Sequence, residues 1–526
     1  MKNTRIYALL LSAVLLLSAC SANEVQVKEK SVRSKPSKTT EVTETTEATE
    51  TDDTIPSVVT DEPVEIKAEP EPIDRTLSIE DQIRSLDGVV EVTKIDNYSG
   101  VEGTNFMVIF EQPLDWNDPS CGTFDQRVEF FYTGSDISEF YTGGYFLPDD
   151  LYLTYGPMLG VFAEQMECNF INAEYRFFGE SIPDGLDVSK ADYWEYLTTY
   201  NAACDFHHIY EQFDRILEPD GWVMTGGSKG GMTTMLQGAY FPDDADIYVP
   251  IVAPYCDGPQ AEGFMKNIYT TIGDDRYGPD KASEYRGLVL EFQVEAIKHR
   301  EDLQQRYYDY GITQGAVFND FTTPEVLYDM AVLEFATQTW QYEQDFSSIR
   351  SLLNSKDQDS YLDNMLDMLI EANEPDTWAV NSEFAPYYIQ AFKEIGEHDY
   401  DFSYLREALE EDGSGAELVV TKDMEDMILY KMTLYPEVYD SLEYDPSSRN
   451  MLMDWMKNTD CNVIMLYGGS DVWYQPRLPD VPDRNNFITY VDQFAAHTII
   501  YKVMPNEDAD KVYKMVDSIT SEAAID

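Results

Sequence analysis

The chain has 526 residues, 98 of them acidic and 36 basic, and its formal net charge of −62 excludes most nucleic-acid binders, which need a basic footprint. The first 76 residues hold 14 acids and 9 bases, so 84 acids against 27 bases remain for the other 450 and the folded part is itself acidic. With 43% hydrophobic and 13% aromatic residues and 25 prolines, the chain can bury one large core or two moderate ones, which excludes wholesale disorder, collagen and a disulfide scaffold.

At the front, Lys2 and Arg5 precede an apolar stretch from Ile6 to Leu17, too short to span a bilayer at about 20 residues and of the length of a secretory h-region. It ends in Leu17-Ser18-Ala19-Cys20, which resembles the bacterial lipobox, so residues 1–20 are expected to be a lipoprotein signal peptide with Cys20 as the lipidated residue. A plain signal peptide cleaved nearby is the alternative. Residues 21–76, with runs such as Thr43-Glu44-Thr45-Thr46-Glu47, lack the apolar surface needed to offset ordering entropy and read as an acidic tether. No later run approaches 18 apolar residues, so the remainder is expected outside the cytoplasm, held to the membrane by the lipid alone. Setting Cys20 aside, five cysteines remain, with no C-x-x-C pair. A zinc site is therefore not expected, and up to two disulfides are allowed.

From 77 to 257 short apolar runs alternate with helical patterns. Candidate strands are Thr104–Phe110, Val128–Tyr132, Phe140–Thr142, Phe170–Arg176, Trp222–Thr225 and Tyr248–Val252, and a helical pattern over Lys190–Leu217 between two of them gives the alternation of a βαβ parallel sheet. Residues 258–457 read as helical, with Thr323-Pro324-Glu325 as a helix start and Met365–Ile370 on another helix. Strands return at Val463–Tyr467 and Phe487–Val491. Two late strands alone cannot make a stable domain, so 77–257 and 458–526 are expected to form one α/β domain, with a helical insertion before its last two strands.

The strand Trp222–Thr225 runs into Gly226-Gly227-Ser228-Lys229-Gly230, the G-x-S-x-G pattern of a nucleophile elbow. A turn this tight leaves no room for side chains beside the serine, hence the glycines; the pentapeptide alone is a weak signal, and the flanking strand and helix are what raise it. A serine hydroxyl needs a base and an orienting acid, which in α/β-hydrolases follow in the order Ser, Asp, His. Of the five histidines, His207 and His208 precede Ser228, His299 and His398 fall in the insertion, and His497 follows the last candidate strand, so His497 is the expected base. Asp471, after Gly468-Gly469-Ser470 at the end of Val463–Tyr467, is the expected acid, with Asp480, Asp483 and Asp492 as competitors. The oxyanion hole is expected to use the backbone N–H of Lys229 and that of Tyr145 after Gly143-Gly144.

Three strings, Asn172–Ser181 with Glu174-Tyr175-Arg176-Phe177-Phe178-Gly179, Ser228-Lys229-Gly230-Gly231 and Gly469-Ser470-Asp471-Val472-Trp473, resemble the secreted bacterial tripeptidyl aminopeptidases of the α/β-hydrolase fold. More distantly they are similar to prolyl carboxypeptidase and dipeptidyl peptidase II. The resemblance spans about Thr104–Val503 and implies an α/β-hydrolase sheet, the insertion as a cap over the active site, a Ser228-Asp471-His497 triad, no cofactor and no metal. Val472 stands where those relatives often carry proline.

An enzyme that counts residues from a free N-terminus needs an anion for the α-ammonium. Glu174 is a candidate for that role, or else a structural partner of Arg176 or another base. Trp473 and Tyr474 line the pocket or pack against the cap. Together these readings give a lipid-anchored serine exopeptidase acting on peptides. An esterase or lipase is the alternative, disfavoured by an insertion rich in Tyr, Asp and Glu, and a non-catalytic surface binding protein would require a broken triad.

Overall fold

The computed structural model describes residues 72–96, 101–147, 161–342, 346–497, 499, 514 and 516–518; the leader, Cys20 and nearly all of the tether lie outside the described residues. Among these residues nine strands form one sheet: β1 Val89–Ile95, β2 Thr104–Pro113, β3 Thr123–Tyr132, β4 Ile137–Thr142, β5 Asn169–Ala173, β6 Gly221–Gly227, β7 Ile247–Ile251, β8 Asn462–Gly468 and β9 Phe487–Asp492, in the order 1-2-3-5-4-6-7-8-9. The first three are antiparallel, β3 pairs antiparallel with β5, and every pair from β5 to β9 is parallel.

Burial explains which strands sit in the middle. Every residue of β6 and β7 is buried, as expected of parallel strands covered on both faces. On β1 only Val92 is buried, consistent with its place at the edge. Helix α1, Thr199–Leu217, is capped by Thr198, whose side chain accepts from the Asn201 N–H, and α2 is Lys229–Tyr240; the two pack on each other and α2 packs on β6 and β7. The chain leaves β4 for β5 on one side and later returns to β6 on the other side of β4. The carboxyl ends of β4 and β6 therefore flank a topological switch point, where open α/β sheets form their ligand crevice.

Between β7 and β8 the described chain is helical. Its helices include α3 Phe264–Thr270, α4 Pro279–Lys298, α5 Arg300–Gln314, α6 Pro324–Gln341 and α7 Tyr361–Ala372. Thr323 caps α6 as its sequence implies, accepting from the Val326 N–H with Pro324 in the first turn. Helix α6 is buried nearly all round because α4, α5 and α7 surround it; Phe335 stacks on Phe292 at 4.0 Å between ring centroids.

Three expectations need correction. The strand beginning at Phe170 ends at Ala173 rather than Arg176, because the chain turns sharply there and Phe177 takes a φ of 69°. The helix expected from Lys190 begins at Thr199, directly after its capping residue Thr198. All five cysteines among the described residues, Cys121, Cys168, Cys204, Cys256 and Cys461, are free. The edge strand β1, in which apolar and polar residues alternate only in part, had no clear signal.

One buried ion pair ties the turn after β5 to α1. Arg176 and Asp205, both 0% exposed, meet through Nε–Oδ2 at 2.7 Å and Nη2–Oδ1 at 2.8 Å, and the guanidinium also donates to the carbonyls of Pro113, Leu114 and Tyr196. Removing one charge strands the other in a site closed to water. Asp205→Asn is expected to cost about 3–5 kcal/mol, read as a lower denaturant midpoint.

Candidate active site

Strand β6 ends in Gly226-Gly227 and turns at Ser228, which has φ 56° and ψ −120°, a conformation that costs a residue with a side chain about 1–3 kcal/mol. The surroundings impose it. The Ser228 N–H donates to Ile251 O at 2.9 Å and its carbonyl accepts from Met232 N at 3.1 Å. A Cβ at Gly226 would lie 2.3 Å from Gly230 O, one at Gly230 2.7 Å from Thr142 O, and one at Gly231 2.7 Å from Ile251 O. The glycines are therefore required by close backbone contact, and the half-buried serine is held above the carboxyl edge of the sheet.

The last two strands, β8 and β9, bring acid and base to that same edge. Asp471 Oδ2 lies 2.8 Å from His497 Nδ1, with side chains 1% and 5% exposed. A carboxylate can only accept, so Nδ1 donates and the neutral ring keeps its lone pair on Nε2. Asp471 Oδ1 accepts from the Trp473 N–H at 3.1 Å. The two loops are tied by Ser470 N to Ala495 O, 2.9 Å, and by Gly469 N to Asp492 O, 2.8 Å. A Cβ at Gly468 would meet Ala496 O at 2.5 Å, which explains the paired glycines. The competing acids are engaged elsewhere: Asp480 with Arg477 at 2.7 Å, Asp483 with Thr489 N at 3.1 Å and Asp492 with Phe494 N at 2.9 Å. His207 bonds Asp244 and His208 bonds Gln112, each at 2.8 Å, while His398 is buried within the helical segment.

Gly143 and Gly144, directly after β4, let the Tyr145 backbone approach the start of α2: a Cβ on Gly144 would stand 2.6 Å from Gly230 N. Among the described residues the backbone N–H groups of Lys229 and Tyr145 have no acceptor. The Lys229 side chain is buried, with Nζ 3.3 Å from the Tyr175 ring centroid, 5.4 Å from Phe178 and 5.8 Å from Tyr145; burial pushes its pKa well down, opposed by the Glu394 charge.

The structure corrects the expectation for Glu174. It is 0% exposed and its oxygens accept from Leu147 N (2.7 Å), Glu180 N (3.1 Å), Ser181 N (3.0 Å) and Ser181 Oγ (2.6 Å), with Arg127 at 3.9 Å. Nothing remains to hold a substrate amine. Its partner is not Arg176, which is taken by Asp205. Instead Glu174 pins the loop that carries Tyr145, helped by the Tyr175 N–H donating to Tyr145 O at 3.0 Å. Burial pushes its pKa up to about 7, against the opposing effects of Arg127 and the donors. The Trp473 ring packs against the helical segment, 5.1 Å from Phe264 and 5.3 Å from His398 between centroids. The carboxylates Glu334 and Glu397 were not singled out from sequence, although a glutamate amid the apolar run Met330–Phe335 is a signal that could have found the first.

A mostly parallel sheet, a serine on a strained strand-to-helix turn at its switch point and a His–Asp pair from the following strands define a hydrolase of the α/β-hydrolase class. The family model of the PS-10 peptidase S37 family matches residues 68–415; the chain belongs to that family and is a serine peptidase. The match ends before Asp471 and His497, whose pairing comes from the structure. The chain is 25% identical over 411 residues to a prolyl tri/tetrapeptidyl aminopeptidase of Streptomyces mobaraensis, covering 75% of this chain and 74% of that protein. A 74-residue segment, 13% of this chain and 15% of the relative, is 35% identical to a lysosomal Pro-X carboxypeptidase of Bos taurus. A solved α/β hydrolase from a Penicillium species covers 80% of this chain and 99% of its own at 11% identity, with a TM-score of 0.34.

Because Glu174 holds the Tyr145 loop, Glu174→Gln sets an amide N–H₂ against groups that already donate, at a cost of about 1–3 kcal/mol. The expected result is a lower melting temperature and equal losses of kcat/KM on free and N-acetylated peptides.

Proposed function

We propose that this serine peptidase is a lipid-anchored exopeptidase outside the cytoplasm that releases short peptides, three or four residues long, from free N-termini through an acyl-enzyme. The observation that carries the catalytic assignment is the buried 2.8 Å bond between His497 Nδ1 and Asp471, on the sheet edge that also holds the strained Ser228. Ser228 Oγ attacks the scissile carbonyl while His497 Nε2 takes its proton, and Asp471 keeps the ring in the required tautomer and stabilises the imidazolium. The N–H groups of Lys229 and Tyr145 receive the developing oxyanion. His497 then protonates the leaving amine, and water, deprotonated by the same nitrogen, releases the peptide. The mechanism calls for no cofactor and no metal.

The peptide length is carried over from the relative named a prolyl tri/tetrapeptidyl aminopeptidase, so reporters of two, three and four residues, with and without proline before the scissile bond, are the assay of choice. The lipid anchor rests on the Leu17-Ser18-Ala19-Cys20 string alone.

Ser228→Ala is expected to lower kcat by about 10⁴-fold or more with folding intact, and Asp471→Asn by a similar factor because the wrong tautomer is favoured. Near wild-type turnover in Ser228→Ala would remove the nucleophile assignment. Cys20→Ala is expected to abolish lipid labelling and to move the protein from membrane fractions into precursor or medium; a labelled, membrane-bound variant would exclude the lipobox reading.

A further inference from the structure

Other cations taken out of water in this protein are provided with oxygen acceptors. Arg176 has Asp205 and three carbonyls, and Lys393 Nζ in the helical segment donates to Trp194 O at 2.6 Å and Leu197 O at 3.0 Å. Lys229, 2% exposed, differs. Among the described residues its Nζ makes no hydrogen bond and no ion pair. An aliphatic side chain would fill the same space without the cost of a desolvated charge, so packing alone does not account for a lysine here.

Three aromatic rings stand where an oxygen acceptor would. Nζ lies over the Tyr175 ring at 3.3 Å from its centroid, with Phe178 at 5.4 Å and Tyr145 at 5.8 Å. All three fall within the reach of about 6 Å over which a ring face attracts a cation, an attraction that strengthens where water is excluded. The rings also hold one another. Phe178 meets Tyr145 edge-on at 5.6 Å and Tyr175 edge-on at 6.0 Å. Tyr175 is fixed in turn: its N–H donates to Tyr145 O at 3.0 Å, and its hydroxyl accepts from Gln390 Nε2 at 2.7 Å. Gln390 belongs to the helical segment, directly before the π-helical turn Ala391–Ile395.

Lys229 supplies one of the two oxyanion N–H groups with its backbone, and its side chain reaches the ring of Tyr145, which supplies the other. Gly143 and Gly144 precede Tyr145 and restrict the backbone little by themselves. Contacts beyond the glycines therefore decide where the Tyr145 N–H stands: the Glu174 bond to Leu147 N on one side, and the ring cage on the other.

We propose that the Lys229 side chain is a positioning residue for the oxyanion hole, drawing the Tyr175, Phe178 and Tyr145 rings around its ammonium and so setting the Tyr145 N–H beside its own. This rests on the oxyanion assignment above and names what aligns its two donors.

The test reads the oxyanion hole with a tripeptide aldehyde. Ser228 Oγ bonds to its carbonyl carbon, the C=O electron pair passes to the oxygen facing the two N–H groups, and the hydroxyl proton passes to His497 Nε2. The matching tripeptide acid, which forms no such adduct, reports ground-state binding. Both inhibition constants, with kcat and KM, are measured on the full chain per active site counted by stoichiometric phosphonylation of the serine. Lys229→Met, which keeps the backbone N–H and the length of the side chain, is expected to lower kcat and weaken the aldehyde about 10- to 100-fold. KM and binding of the acid should stay within about twofold of wild type. Tyr175→Leu attacks the same contact from the other side and carries the same expectation, so it decides the matter if thermal melting shows that Lys229→Met does not fold. The double variant should be no worse than the poorer single one.

A kcat within about twofold of wild type in the folded variants, a loss that spares the aldehyde, or additive losses in the double variant would overturn the positioning role alone. An aldehyde that wild-type enzyme does not bind, or that Ser228→Ala binds equally well, would overturn the oxyanion assignment itself.

Discussion

The backbone at Ser228 is the constraint on which the site depends. A residue with a side chain is held at φ 56° only because the strand before it, the helix after it and the end of the neighbouring strand meet without room for a Cβ. Gly226, Gly230 and Gly231 are the contact points, closed against Gly230 O, Thr142 O and Ile251 O. The same closeness brings the Gly143-Gly144 loop onto the start of α2, so the backbone packing that exposes the serine also sets the Lys229 and Tyr145 N–H groups close to it. Strain of this kind persists when its surroundings over-determine it, and here a buried parallel sheet supplies those surroundings.

Around that turn the protein uses buried charge in two different ways. Asp205 with Arg176 and Glu174 with its four donors are internally satisfied and hold loops in place; Asp471 is satisfied by His497 and the Trp473 N–H. Glu334 and Glu397 are buried without a Lys or Arg partner among the described residues, and Glu397 accepts from Tyr387, whose ring lies beside that of Tyr145. Satisfied charges position the chemistry. The net charge of −62 belongs to neither group; charge of this size keeps a protein surface solvated.

Sequence alone determined the elements whose signal is local. Glycines flanking a serine between a strand and a helix require a tight turn whatever surrounds them. Thr323-Pro324 starts a helix because a cap and a pre-set φ act within one turn. The chain order of Ser228, Asp471 and His497 followed from candidate strands and the scarcity of histidine. The resemblance to tripeptidyl aminopeptidases, resting on short strings around those residues, agrees with membership of the PS-10 peptidase S37 family.

Only the tertiary structure decided matters that depend on partners far away in the chain. Glu174 is followed by Arg176, and sequence left open whether its charge faced a substrate or a base; its donors come from Leu147, Glu180 and Ser181, brought to it by the turn after β5. Asp471 was already preferred in sequence over Asp480, Asp483 and Asp492; its contact with His497 comes from the parallel pairing of β8 with β9, which lays one loop against the next. Cysteine spacing allowed disulfides that the placement of the five thiols does not make. Glu334 and Glu397 lie 63 positions apart, on segments without a shared local pattern. Glu334 is buried because an apolar helix carries its carboxylate into a core that folding closes around it.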